Sequence, residues 1–340
     1  MRIPYNLEER FKVSSSPHVR KSWTVRSVML DVLIALIPAV LASWYFFGIR
    51  AMLVELVCVL AAVLSEAIVQ YLFFEKVTVD DLSAVVTGLL LAMCLPPSLP
   101  LWIAAVGSIV AIIIGKQVFG GLGNNPFNPA HVGRAVLLAS WPVYMTTWMV
   151  PTKPGTSQWL GTDIVTSATP LGMLKESGYN WAVVAKKVSL WDLWIGNVGG
   201  SLGETSAIAI LIGGLYLLWR GVITWHIPVT YLGTVFLLSL IFEGPAKHIA
   251  DAVVYPPLFH LAAGGLMIGA WFMATDMVTT PLSKGGRIAF GIGAGVLVFL
   301  IRKFGGYPEG VCYSILIMNA FTPLLDRIFK PKTFGEVTQG

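Results

Sequence analysis

The feature that most limits how this chain can fold is the recurrence of long apolar runs from end to end, since a helix crossing a bilayer needs roughly 20 such residues in succession. Bounded by charges, Pro or Gly, these runs fall at 28–48, 51–74, 82–95, 99–119 and 127–149, then at 205–219, 222–242, 258–275, 286–301 and 308–328. Only 12% of the residues are charged and 56% are apolar, against about a quarter charged in soluble proteins. The expected fold is an all-α integral membrane protein of about ten transmembrane helices. Its layout is an arm (1–27), a first five-helix repeat (28–149), a long polar segment (150–204), a second five-helix repeat (205–328) and a tail (329–340).

Charge orients this arrangement. The net charge of +5 comes from Lys and Arg set in short segments between apolar runs, not in a stripe, so no nucleic-acid surface is implied. With the N-terminus in the cytoplasm, fourteen Lys and Arg fall inside and eight outside, four of these in the long segment. The positive-inside rule then puts both termini in the cytoplasm and 150–204 outside, in a multi-pass protein of the cell inner membrane. The Val28–Gly48 run is too long for a signal-peptide core and lacks a small-residue cleavage site. Cys58, Cys94 and Cys312 stand alone in apolar stretches, so neither an iron–sulfur cluster nor a structural zinc is expected. The five histidines, His18, His131, His226, His248 and His260, show no paired spacing, and no metal site is expected from them either.

The halves resemble one another. Lys116-Gln117-Val118-Phe119-Gly120-Gly121 closes the fourth run and Arg302-Lys303-Phe304-Gly305-Gly306 the ninth, each after a Gly-containing apolar helix and an earlier Pro-bearing turn. Elements five helices apart point in opposite directions, which is the inverted-repeat pattern of transporter-like folds with sites where the repeats meet. Gly291-Ile292-Gly293-Ala294-Gly295 lies inside an apolar run with no strand before it, so it reads as helix packing and not as a dinucleotide fingerprint.

Chemistry outside the membrane has one place to go. The polar segment contains Asp163-Ile164-Val165-Thr166-Ser167-Ala168-Thr169-Pro170-Leu171, where small neighbours leave the Thr169 hydroxyl accessible and Pro170 biases Thr169 toward extended backbone. This segment resembles the flavinylation motif of the D subunits of Rnf complexes and the B subunits of sodium-translocating NADH:quinone reductases, departing at Ser167, where that family has Gly. Also similar to family signatures are Ser15-Ser16-Pro17-His18-Val19-Arg20, Met29 to Pro38, Leu95-Pro96-Pro97 and Gly120 to Ala130, which together cover nearly the whole chain. The short N-terminal arm favours the Rnf type. The resemblance implies an FMN joined to Thr169 by a phosphoester bond made by a flavin transferase, with Asp163, Thr166 and Ser167 in the motif.

Asn125-Pro126-Phe127-Asn128-Pro129-Ala130 cannot continue a helix and predicts a turn before the fifth one. Read from the residues, Asn125 and Asn128 are helix caps; the resemblance implies that they also hold a noncovalent riboflavin. Asp276 lies on the same side and is expected to line that pocket. Asp31, Glu55, Glu66, Arg134, Asp276 and Asp326 fall in or at the ends of spans, where charge is costly, and each is a functional candidate. Glu66 and Asp326 are the candidates for ion coupling, with Arg134 a partner for Glu66. The function implied is that of a membrane component of an Rnf-type complex, carrying electrons through FMN and a second flavin in ion-coupled exchange between ferredoxin and NAD. The implied partners are the other subunits, including a periplasmic FMN-carrying one and a cytoplasmic NAD-binding one. The alternative is a cofactor-free solute channel or transporter on the same repeat.

Overall fold

The computed structural model describes residues 23–73, 77–152, 154–157, 159, 165–243, 254–307 and 309–330. Each of the ten apolar runs falls on helix: α1 (Val25–Phe47), α2 (Ile49–Phe73), α3 (Ser83–Met93), α4 (Leu101–Ile113), α5 (Pro129–Ser140) and a short continuation α6 (Pro142–Met145). Between the halves lie β1 (Trp148–Met149), β2 (Thr166–Ser167), α7 (Pro170–Glu176), α8 (Trp181–Lys187) and α9 (Leu190–Ile195). The second half comprises α10 (Ala207–Arg220), α11 (His226–Glu243), the bent pair α12 (Tyr255–Ala262) and α13 (Leu266–Met273), α14 (Lys284–Phe304) and α15 (Val311–Ile328).

Local chemistry sets the boundaries. Thr24 and Ser27 exchange backbone-to-hydroxyl bonds of 3.2 and 3.0 Å and start α1, and Gly48 at φ +61° turns the chain into α2. Pro129 occupies the first turn of α5, where its missing N–H costs nothing, while Asn128 Oδ1 accepts from His131 N at 3.3 Å. Expected to run 127–149, this helix stops at Ser140, because Pro142 cannot continue it. The eighth run, expected as one helix over 258–275, breaks at Ala263-Gly264-Gly265 with a bend of 69°. Gly264 at φ +73° makes that turn.

Among the described residues, six helices are long and apolar enough to cross a membrane, α4 when continued to Phe119, or seven with α12 and α13 as one broken span. The shorter α3, α5 and α10 have 11, 12 and 14 residues, and at about 1.5 Å per residue none covers the roughly 30 Å hydrocarbon core alone. Polarity is distributed inside out. On α1, Leu30, Ile34, Ile37, Leu41 and Tyr45 form an exposed apolar stripe at helical spacing, while Asp31 and Ser43 are buried. The α2 stripe of Leu56, Leu60, Leu64 and Ile68 is likewise exposed, and Glu55, Ser65, Glu66 and Gln70 point inward. Such a surface suits lipid, whose tails are as apolar as Leu, so close packing of small residues must hold the helices together.

In the first half α2 packs on α3 and α4, and α4 on α5; in the second α11 packs on α12 and α14, and α14 on α15. The halves meet where α1 crosses α10. There a Cβ on Gly213 would stand 2.0 Å from Ala35 O, so only glycine allows the crossing. Gly291 and Gly295 of α14 pack on Thr230 and Thr234 of α11, as the helix-packing reading expects.

The intervening segment is more ordered than a loop. β1 and β2 pair antiparallel, Trp148 opposite Ser167 and Met149 opposite Thr166, a two-residue ladder that departs from the all-α expectation. Lys175 Nζ donates to Gly305 O and Tyr179 Oη to Arg302 O, clamping α7 and the turn after it onto the end of α14. Tyr255 Oη donates to Val188 O at 2.7 Å, and Trp181 packs edge-on against Phe259.

Candidate functional site

Two cavities occupy opposite ends of the bundle. At one end Thr169 precedes Pro170 and caps α7, its backbone extended at φ −68° and ψ 157° as the Thr-Pro step demands. Its hydroxyl oxygen accepts from Gly172 N at 3.0 Å. Thr169 is only 4% exposed, so its hydroxyl does not lie on an open surface as the small neighbours suggest. It lines a cavity walled by Arg134 and Leu138 of α5, Trp148 of β1, and Glu309, Cys312 and Tyr313 around the start of α15. Thr166 and Ser167 form β2 and are exposed. Ser167 is not among the residues with positive φ, so the strand has no need of Gly there. Asp163 lies outside the described residues. Tyr179, which holds this segment to α14, has its phenol pushed up to about 12, by burial first and then by the negative charge of Glu243, and remains a donor.

At the other end Asn125, Asn128 and Asp276 line one cavity together with Ser83, Thr87 and Lys116, so the expected convergence of these three is observed. Asn128 does both structural jobs open to it, capping α5 and donating to Met273 O at 3.3 Å. Asn125 differs: Nδ2 donates to Phe127 O at 3.2 Å, whereas Oδ1 is buried and has no partner. Asp276 is half-buried and caps its own turn, accepting from Val278 N at 3.2 Å and Thr279 Oγ1 at 3.3 Å.

The membrane carboxylates find partners that the sequence conceals. Glu66 is paired with Lys116, not Arg134: Lys116 Nζ lies 2.7 and 2.9 Å from the two Glu66 oxygens and 2.6 Å from Ser83 Oγ, with Glu66 and Lys116 each 1% exposed. Gln70 and Gln117 also donate to Glu66, at 3.1 and 3.0 Å. Arg134 pairs instead with Glu309. Asp31 meets Arg220 at 3.0 Å, and Glu55 accepts from Ser43 and Trp44 at 2.7 and 2.6 Å. Asp326 is set apart from these, accepting from Leu282 N at 3.0 Å in an exposed turn. Lys116 and Arg302, which read as topological charges, are buried. Arg302 donates to the carbonyls of His260 and Ala263 at 2.7 and 2.9 Å, and His260 Nε2 lies 2.8 Å from Glu243. The three cysteines are free and buried, and no group of potential metal ligands occurs among the described residues.

A multi-pass helical membrane protein with a cavity at each end and charges paired in its interior is the class this geometry defines. The chain belongs to the NQR2, RnfD, RnfE family, whose model matches residues 12–335. It is 49% identical over 328 residues to the D subunit of the proton-translocating ferredoxin:NAD(+) oxidoreductase complex of Clostridium ljungdahlii, with 96% of each chain covered. It is 45% identical over 333 residues to the Na(+)-translocating counterpart of Acetobacterium woodii, again with 96% of each covered. Against the D subunit of the ion-translocating oxidoreductase complex of Escherichia coli K12 the identity is 36% over 354 residues, covering 96% of this chain and 98% of the relative. These relatives are named for different ions, so similarity to them leaves the ion open.

Proposed function

We propose that this chain is the D subunit of an Rnf-type, ion-translocating ferredoxin:NAD(+) oxidoreductase complex, carrying electrons between a flavin joined to Thr169 and a second one held at Asn125, Asn128 and Asp276. The observation that carries the reading is the pair of cavities at opposite ends of one bundle, one bearing the Thr169 hydroxyl, the other an orphaned acceptor. The residues fit such groups. Thr169 Oγ1 serves Gly172 N as an acceptor, a bond that survives conversion of the hydroxyl to a phosphoester. Asn125 Oδ1 offers a buried acceptor to a ring N–H. Bound flavins supply the one- and two-electron chemistry that no side chain here provides. Arg134, paired with Glu309, lines the Thr169 cavity together with the rings of Trp148 and Tyr313.

On this reading the Thr169 end faces outside, the termini are cytoplasmic in the inner membrane, and the ten helical segments form two inverted five-helix repeats. Equivalent packing in the two halves supports the repeat. So does a detail of charge: Glu66 and Glu243 are each the eighteenth residue of α2 and α11, and each lies near the cation that closes the fourth or ninth run, Lys116 or Arg302. Glu66 and Asp326 are our ion-coupling candidates, Glu66 because it is a buried carboxylate whose one paired cation is Lys116, a place another cation could take. Electrons would enter from a periplasmic FMN-carrying subunit; a cytoplasmic NAD-binding subunit and a flavin transferase complete the partners. The test is flavin fluorescence of the denatured chain, made with a flavin transferase. Wild type should fluoresce on a gel and Thr169→Val should not, while still inserting in the membrane. A dark wild-type band sinks the reading.

A further inference from the structure

Beside the Thr169 cavity stands a cluster whose charges do not balance. Arg134 of α5 pairs with Glu309, and both line the cavity. Glu204, 6% exposed in the 3-10 turn Leu202–Glu204, is not among the residues lining the cavity. Its Oε2 accepts from Ser201 N at 3.3 Å. Its Oε1 and Arg134 Nη1 converge on Gly265, 3.5 and 3.9 Å from where a Cβ would stand. Four polar atoms of this cluster are buried without partners: Glu204 Oε1, Glu309 Oε1, Arg134 Nε and Ser201 Oγ. Cys312 lines the cavity with Arg134 and Glu309, the charges of all three groups act on Cys94, and those of both carboxylates act on Arg302 of α14.

Arg134 is the one guanidinium ion-paired in the cluster, since Arg302 is committed to the carbonyls of His260 and Ala263; a second ionised carboxylate is then buried without a partner of its own, which is costly unless a cation neutralises it. A hard metal cation takes about six oxygens, and two carboxylate oxygens with one hydroxyl fall well short. A proton needs only one. We propose that Glu204 and Glu309 hold a single proton between them against Arg134, forming a proton-binding site in the wall of the Thr169 cavity. Burial first, and then the negative charge of Glu309, holds Glu204 above the usual carboxylate range, in the direction the site requires.

The role of the site rests on the reading of Thr169 as a redox centre. Each negative charge that a redox partner adds to the cavity raises the proton affinity of the second carboxylate. The pair then takes one H⁺ from the water on that side and returns it when the charge leaves. The only bond made or broken is a carboxyl O–H.

The closing experiment needs no flavin. Full-length Thr169→Val protein in detergent is titrated by infrared spectroscopy in H₂O and D₂O, following the carboxylic-acid C=O stretch. A band persisting at pH 7 and absent in Glu204→Gln is expected. In Glu309→Gln, which removes the competing charge and frees Arg134, the remaining acid should ionise at lower pH, its proton affinity falling at least about tenfold, one pH unit. If Glu204→Gln does not fold, the Glu309→Gln titration decides alone. No Glu204 band at pH 7, an unshifted titration in Glu309→Gln, or loss of the band when sodium chloride replaces choline chloride overturns the proposal. The band present in a chain whose wild type never acquires flavin would keep the proton site and discard the redox reading.

Discussion

Lys116→Met separates what holds the first half together from what merely sits in it. Lys116 Nζ makes three contacts of 2.6 to 2.9 Å, two to Glu66 and one to Ser83, and both ion-pair partners are 1% exposed. Met replaces the stem with little change in volume but deletes the charge. Glu66 then keeps only the amide donors of Gln70 and Gln117. Stranding one partner of a buried ion pair costs about 3–5 kcal/mol, whereas replacing both by apolar or neutral groups is often close to neutral. Lys116→Met should therefore destabilise by that amount, and Lys116→Met with Glu66→Gln should recover most of it. The assay is denaturant unfolding of the detergent-solubilised chain followed by Trp fluorescence, run as a double-mutant cycle. A double variant no more stable than Lys116→Met alone, or a single variant within about 1 kcal/mol of wild type, refutes the argument that the pair is mutually required.

Three more outcomes are expected. Asn125→Leu should lower the noncovalent flavin extracted from purified protein while leaving the covalent flavin in place; Asn128→Ser, which keeps the α5 cap, should leave stability within about 1 kcal/mol, and unchanged flavin in Asn125→Leu would reduce Asn125 to a turn residue. Because Cys58, Cys94 and Cys312 are buried, an impermeant thiol reagent applied to intact cells should label Val165→Cys and spare Lys284→Cys, both positions being exposed; the reverse pattern would invert the topology.

The helices were legible because a lipid environment asks for uniform apolarity, which each of the ten runs has, and six of them also fall on helices of membrane-crossing length. Their interruptions were harder to read. Ala262-Ala263-Gly264-Gly265 is as apolar as what surrounds it, so hydropathy continues through a 69° bend. Pro142 was a readable stop for α5, but the apolar residues after it carried the run on to 149. Asn128 announced itself as a cap because capping is local. Lys116 read as a topological charge because its partner lies 50 positions away, and Arg134 is 175 positions from Glu309. Thr169 came from a motif, while the wall of its cavity is assembled from four separate stretches of chain that no local pattern links.

The bend between α12 and α13 also bears on how the protein is made. Each half is too short to stand alone in a bilayer, and the carbonyls of His260 and Ala263, opened by the break, are satisfied by Arg302, about forty residues further along. A ribosome that has finished α13 has therefore delivered a segment whose backbone lipid cannot accommodate. That segment must wait, in the insertion machinery or at the interface, until α14 emerges with its guanidinium. The last third of the chain is thus expected to enter the membrane as a group, with a premature stop before Arg302 leaving a product fit for proteolysis and not a shorter stable protein.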